Sequence, residues 1–240
     1  MRLLTLALSL TLALAGCSSQ TAQQAPQAEA HAHAQVVPGS SLETPPLAAP
    51  LDPSRGAEIG TSFEAFLSPH QEPGEEKDTP ALTPKAFLST APSLLRQDRK
   101  SKGHGMLRFT RDLSRAYVDV QLEGVNPDDV VMFHIHCGRP DMLGPIMVDL
   151  ALTGDLQENL RDGRFTAEIR NPHIEATSGA GHGPVAAFLN GCPIVPGIPG
   201  DAKTVAGMEH IARQGELYFN LHTKGQTFYG DIRGQLRPVP

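Results

Sequence analysis

The residues best suited to chemistry are histidines at strand-like spacing. In an extended strand side chains two apart share a face. His134 and His136 of His134-Ile135-His136-Cys137 therefore point the same way, with Val130 and Met132, while Val131, Phe133, Ile135 and Cys137 point the other. His222 shares a face with Tyr218 and Asn220, opposite Leu217, Phe219 and Leu221. If the two strands are neighbours, three imidazoles converge. That is a common metal geometry on a sheet, with Zn–N near 2.0–2.1 Å, and imidazole suits copper as well as zinc. His182, in Gly179-Ala180-Gly181-His182-Gly183-Pro184, is a fourth candidate donor, and His104 and His173 are weaker ones. The competing role is structural. In it His134 and His136 bond to loop carbonyls and pair with Asp231 or Glu72, while Asn220 and Arg233 complete the polar network. No residue is assigned a catalytic role: the chain has no Gly-x-Ser-x-Gly elbow, Walker loop or dinucleotide fingerprint.

Positioning these groups requires sheets. Ala116, Val118, Val120 and Leu122 alternate with Tyr117, Asp119, Gln121 and Glu123; Ile146, Val148 and Leu150 alternate with Met147, Asp149 and Ala151. Phe165, Ala167 and Ile169 repeat the pattern, as do Leu217, Phe219 and Leu221. Period two over such lengths predicts strands with one buried and one wet face. Turn signals separate them at Gly124-Val125-Asn126-Pro127, Gly144-Pro145, Asp162-Gly163 and Lys224-Gly225. One short helix is expected over Lys203–Gln214, where Val205, Met208, Ile211 and Ala212 form a stripe and Gly215 supplies the C-cap. Pro80, Pro84 and Pro92 make 73–102 an exposed insert carrying Arg96, Arg99, Lys100 and Lys102. The expected fold class is all-β, an antiparallel sandwich or barrel over 61–240.

Composition agrees. Twenty-three Gly, 21 Pro and no Trp in 240 residues favour many turns over long helical bundles. A net charge of -6 argues against nucleic acid as a partner, since phosphate binding needs clustered Lys and Arg. Met1-Arg2 followed by the apolar run Leu3–Gly16 is too short to span a bilayer and has the build of a secretory signal, residues 1–16. Its end, Leu14-Ala15-Gly16-Cys17, resembles the lipobox of bacterial lipoproteins. That resemblance implies acylation of Cys17 and membrane attachment through the lipid, and Ser18 favours the outer membrane where a cell has one. Residues 17–60, with Pro26, His31, His33, Pro45 and Pro46, cannot bury enough apolar surface to order themselves and are expected to be a flexible tether.

Four blocks in order carry a second resemblance: His134-Ile135-His136-Cys137-Gly138, Gly144-Pro145-Ile146-Met147-Val148, Leu217-Tyr218-Phe219-Asn220-Leu221-His222-Thr223 and Gly230-Asp231-Ile232-Arg233-Gly234-Gln235-Leu236. With Phe63-Glu64-Ala65-Phe66-Leu67 as an opening strand, they resemble the CHRD domain of chordin and of many secreted bacterial proteins. The resemblance implies an all-β secreted domain and no particular reaction. An extracytoplasmic binding or structural module of the cell envelope is the function expected, with an envelope protein or polymer as partner. The insert after Pro73 and the Gly191-Cys192-Pro193 segment depart from the pattern.

An enzymatic alternative rests on likeness to copper/zinc superoxide dismutases. By that analogy His134, His136, His182 and His222 would hold copper and Arg233 would guide the anion. The further His and Asp residues that would bridge to zinc are lacking. The three cysteines divide once Cys17 is given to the lipid, leaving Cys137 and Cys192 as a candidate disulfide in an oxidising compartment. The rival role for Cys137, a soft metal ligand beside the histidines, is weakened by its place on the opposite strand face.

Overall fold

The computed structural model describes residues 58–179, 190–194 and 200–240. Cys17, the leader, the tether before Glu58 and His182 lie outside them.

Among the described residues nine strands form two antiparallel sheets. In the first, β1 (Ile59–Leu67), β2 (Lys102–Thr110), β3 (Ala116–Glu123), β6 (Arg164–Ile169) and β9 (Arg237–Pro238) lie in the order β6-β3-β2-β1-β9. In the second, β4 (Val130–Cys137), β5 (Ile146–Asp149), β7 (Leu217–Thr223) and β8 (Ile232–Gln235) lie in the order β5-β4-β7-β8. The sandwich core is made by the predicted alternation. Phe63, Leu107, Phe109, Val118, Val120 and Phe165 of the first sheet and Phe133, Ile135, Phe219, Leu221 and Ile232 of the second are all buried. Phe133 packs edge-on against Phe165 with centroids 5.2 Å apart, an arrangement favoured by the ring quadrupoles. A β-sandwich fold is thus what the sequence pattern specifies.

Three departures bear on the site. First, the strands carrying the histidines have no wet face: in β4 only Val131 is exposed, and six of the seven residues of β7 are buried. The cover comes partly from the insert. Its Glu76, Arg99 and Ser101 are buried, so 73–102 is not wholly exposed, and Arg99 donates to the carbonyls of Gly230 and Asp231 at 2.9 and 2.7 Å. Second, the β4–β7 ladder slips between Val130 and Met132. The extra residue turns Val130 into the core and leaves Val131 outside, so Val130 does not share the imidazole face, and the alternation holds only from Met132 onward.

Third, there is more helix than expected. The predicted one appears as α3 (Val205–Arg213), capped by Thr204 on the Gly207 N–H. Among the described residues two others accompany it, α1 (Leu156–Leu160) and α2 (Asn171–Gly179). Asp155 caps α1 through the Glu158 N–H at 2.8 Å, a start signal present in the sequence as Asp-x-x-Glu. In α2 only His173, Ile174 and Thr177 are buried, too few to mark a stripe. No helix among the described residues is long and apolar enough to cross a membrane.

Candidate metal centre

The outer face of the second sheet gathers the polar residues. Register sets Met132 opposite His222, His134 opposite Asn220 and His136 opposite Tyr218, with Arg233 beyond Asn220 and Gln235 beyond Tyr218. His134 is therefore diagonal to His222, within reach of a side chain as large as imidazole. Ring centroids are 5.2 Å apart for His134–His136, 5.3 Å for His134–His222 and 6.1 Å for His136–His222. One nitrogen from each ring lies within 4.8 Å of the others, and all three side chains are buried. Tetrahedral ligation at 2.0–2.1 Å would set the nitrogens about 3.3 Å apart, so small ring rotations separate this arrangement from a closed one.

Two of the three rings are held from outside the cluster by hydrogen bonds. His136 donates from Nδ1 to the Gly144 carbonyl at 2.8 Å. Only glycine fits there: a Cβ on Gly144 would stand 1.6 Å from the Cys137 carbonyl oxygen. The Gly144 N–H donates to the Tyr218 hydroxyl at 3.0 Å, and the Tyr218 ring stacks on His136. His222 donates from Nδ1 to the Thr227 carbonyl at 2.9 Å. Thr227 is in turn fixed by Glu76, whose carboxylate accepts from the N–H groups of Thr227, Phe228 and Tyr229 and from the Ser89 hydroxyl. His134 has its Nε2 3.8 Å from Asp149 Oδ1, too far for a hydrogen bond.

Within the cluster, hydrogen bonding leaves one buried nitrogen of each ring with no partner: His134 Nδ1, His136 Nε2 and His222 Nε2. Such unmade bonds are costly in an interior. A carbonyl on one imidazole nitrogen with the lone pair free on the other is the arrangement that metal ligation uses. Protonation is no remedy. Burial, aided by the neighbouring imidazoles, pushes His134 well below the ordinary value; burial and His222 push His136 down to about 3. Burial likewise takes His222 to about 4, against the pull of the Thr227 carbonyl and Glu76. All three are neutral at pH 7, the state a metal ion requires.

The predicted polar network is met in part: His136 bonds a loop carbonyl, that of Gly144, but the carboxylates are placed otherwise. Asp231 and Glu72 do not pair with the imidazoles. Asp231 is held by Ser101 and lies 3.9 Å from Arg99 Nη1. Glu72 has both oxygens unpartnered, and burial raises it to about 8 despite Arg233 and Arg99 nearby. Asn220 donates to the Tyr229 carbonyl while its Oδ1 stays unpartnered. Gly230, at φ +99°, leaves room for both: a Cβ there would stand 2.1 Å from Asn220 Oδ1 and 2.9 Å from Glu72 Oε1.

Arg233 is no anion guide. It is buried, lies 3.5 Å over the Tyr218 ring and donates to the carbonyls of Met142 and Arg139 at 2.7 and 2.6 Å. It pins the 138–145 loop that carries Gly144. Cys137 and Cys192 form a disulfide, Cα–Cα 6.0 Å, so Cys137 is not a ligand. His104 sits on the first sheet against Glu64, and His173 Nδ1 accepts from the Arg170 N–H. Neither joins the cluster.

Sequence reasoning missed Glu76, Thr227 and the Gly144 carbonyl. Gly144-Pro145 was legible as a turn, but nothing in the spacing ties Glu76 to a strand so distant in the chain.

A family model of the CHRD domain matches residues 63–236, a span that includes the three histidines, both cysteines and the core strands of both sheets. No curated protein and no solved structure matches. The sandwich and the matched span together place the chain in one family: it belongs to the CHRD domain proteins.

Proposed function

We propose that this chain is a lipid-anchored, extracytoplasmic metal-binding module that holds one transition metal ion, copper or zinc, through His134, His136 and His222. The single observation that carries the reading is the convergence of three buried, neutral imidazoles, each with an unpartnered nitrogen, on one sheet face. Three protein ligands leave a position for a further donor. The carbonyls of Gly144 and Thr227 orient two of the ligands, and the Cys137–Cys192 disulfide ties the end of β4 to the segment that follows Asn190.

Anchoring is supported by the Leu14-Ala15-Gly16-Cys17 sequence, and the stretch from Ser18 to Gly60 would let the domain stand off the membrane toward an envelope protein or polymer. The site is tested by titrating the purified chain with zinc and copper against a chromophoric chelator. Binding tighter than about 10 μM that is lost in His134→Ala/His136→Ala supports the reading. Binding no tighter than that, or unchanged in the double variant, removes it. Radiolabelled palmitate incorporated into the wild type and not into Cys17→Ser tests the anchor; equal labelling, or none, removes it.

A further inference from the structure

The donors around the three imidazoles also bear on which metal the site selects. Met132 stands directly opposite His222 in the β4–β7 ladder, two residues before His134, so strand parity puts its side chain on the imidazole face. The ladder irregularity lies before Met132, and the alternation from Met132 through His134 to His136 is intact on the β7 side.

Of the oxygen donors nearby, Glu76 and Asp149 are committed elsewhere, while Glu72 and Asn220 Oδ1 are unpartnered and meet at Gly230. The Glu76 carboxylate is taken up by three backbone N–H groups and Ser89. Asp149 accepts from the Ala151 N–H and faces His134 Nε2, not the unpartnered Nδ1. Glu72 lies toward Arg233 and Arg99, whose charges act on it. Cys137 Sγ is in the disulfide.

We infer that the site is selective for monovalent copper, with the Met132 thioether as its fourth donor beside His134, His136 and His222. The inference rests on the metal-binding reading above and narrows it. Two independent arguments converge. Thioether is a soft donor that selects Cu(I), whereas a harder dication gains little from it. None of the four donors carries negative charge, the three imidazoles are buried and Met132 is half-buried, and Arg233 adds positive charge on the same face. Burying a charge in such surroundings costs energy that rises with the square of the charge, so a monocation is tolerated where a dication would need an anionic ligand.

The test uses the full chain and cuprous ion buffered by bicinchoninate under anaerobic conditions, with zinc measured separately. Met132→Leu keeps volume and apolar character and so preserves the fold. The expected result is a Cu(I) affinity weakened by roughly 10- to 100-fold in Met132→Leu, with zinc affinity moved less than about threefold. X-ray absorption of the Cu(I) form should show one sulfur scatterer in the wild type and none in the variant. Equal Cu(I) affinity in wild type and Met132→Leu, or a copper shell of nitrogen alone, overturns this inference while leaving the three-histidine site standing. A wild-type chain that binds neither ion overturns both.

Discussion

Tyr218 lies face to face with His136, ring planes 7° apart and centroids separated by 5.0 Å. β4 and β8 flank β7, so the ring is held between an imidazole of the candidate site and the Arg233 guanidinium that pins the 138–145 loop. One aromatic residue thereby links the geometry of the histidine cluster to loop anchoring.

Tyr218→Phe removes the hydrogen bond to the Gly144 N–H and keeps the stack. The expected loss is about 1 kcal/mol, while Tyr218→Ala should cost about 3–5 kcal/mol because the ring is fully buried. Urea denaturation of both variants checks this. Equal losses would mean that the ring adds nothing beyond its hydroxyl.

The Cys137–Cys192 disulfide spans a sequence separation of 55 residues. Chain entropy assigns its closure about 4 kcal/mol. Cys137→Ser/Cys192→Ser should lower the denaturation midpoint to a matching extent, and reductant should do the same to the wild type. An unchanged midpoint would remove the cross-link from the account of stability.

Glu76 is expected to matter beyond its own hydrogen bonds, because it fixes the turn whose Thr227 carbonyl orients His222. Glu76→Ala should cost about 3 kcal/mol or more and weaken metal binding about tenfold. Chelator competition on the folded variant reads the second effect; affinity equal to wild type would separate the turn from the site.

Stability of the metal-free chain should depend on pH in two opposed ways. Glu72 is raised from 4.5 to about 8, so the folded state holds its proton where the unfolded state has lost it. Its contribution is full below pH 4.5 and is lost as pH climbs to about 8, at a slope of up to about 1.4 kcal/mol per pH unit. Glu72→Gln should abolish that decline. The histidines act in the other direction: His136 and His222 are lowered to about 3 and 4, so the unfolded state binds their protons first. Their contribution is full above about pH 6.5 and is lost as pH falls toward those values. Denaturation midpoints of wild type and Glu72→Gln between pH 4 and 9 measure both. Parallel profiles would contradict the role given to Glu72.

Much of this architecture is legible in the sequence because strand parity is a local property. Once His134, His136 and His222 were placed on neighbouring strands, their convergence followed from alternation alone, and the stripe of Val205, Met208 and Ile211 marked its helix equally well. What was not legible depends on contacts distant in the chain. The outer face of β7 carries Tyr218, Asn220 and His222, a polar pattern that reads as wet; it is buried, partly through a Pro-rich insert whose Glu76 and Arg99 look like surface charges. The bulge at Val131 could not be read either, since one extra residue leaves the apolar composition of the strand unchanged and alters only which side each residue takes.

The central claim is that three histidines hold one metal ion. Elemental analysis of the purified chain, loaded with metal and desalted, tests it most directly, with His222→Gln beside His134→Ala/His136→Ala and circular dichroism to confirm that each is folded. The account predicts about one equivalent of copper or zinc per wild-type chain and well under a tenth in the folded variants. No retained metal in the wild type, or an equal amount in wild type and folded variants, would contradict it.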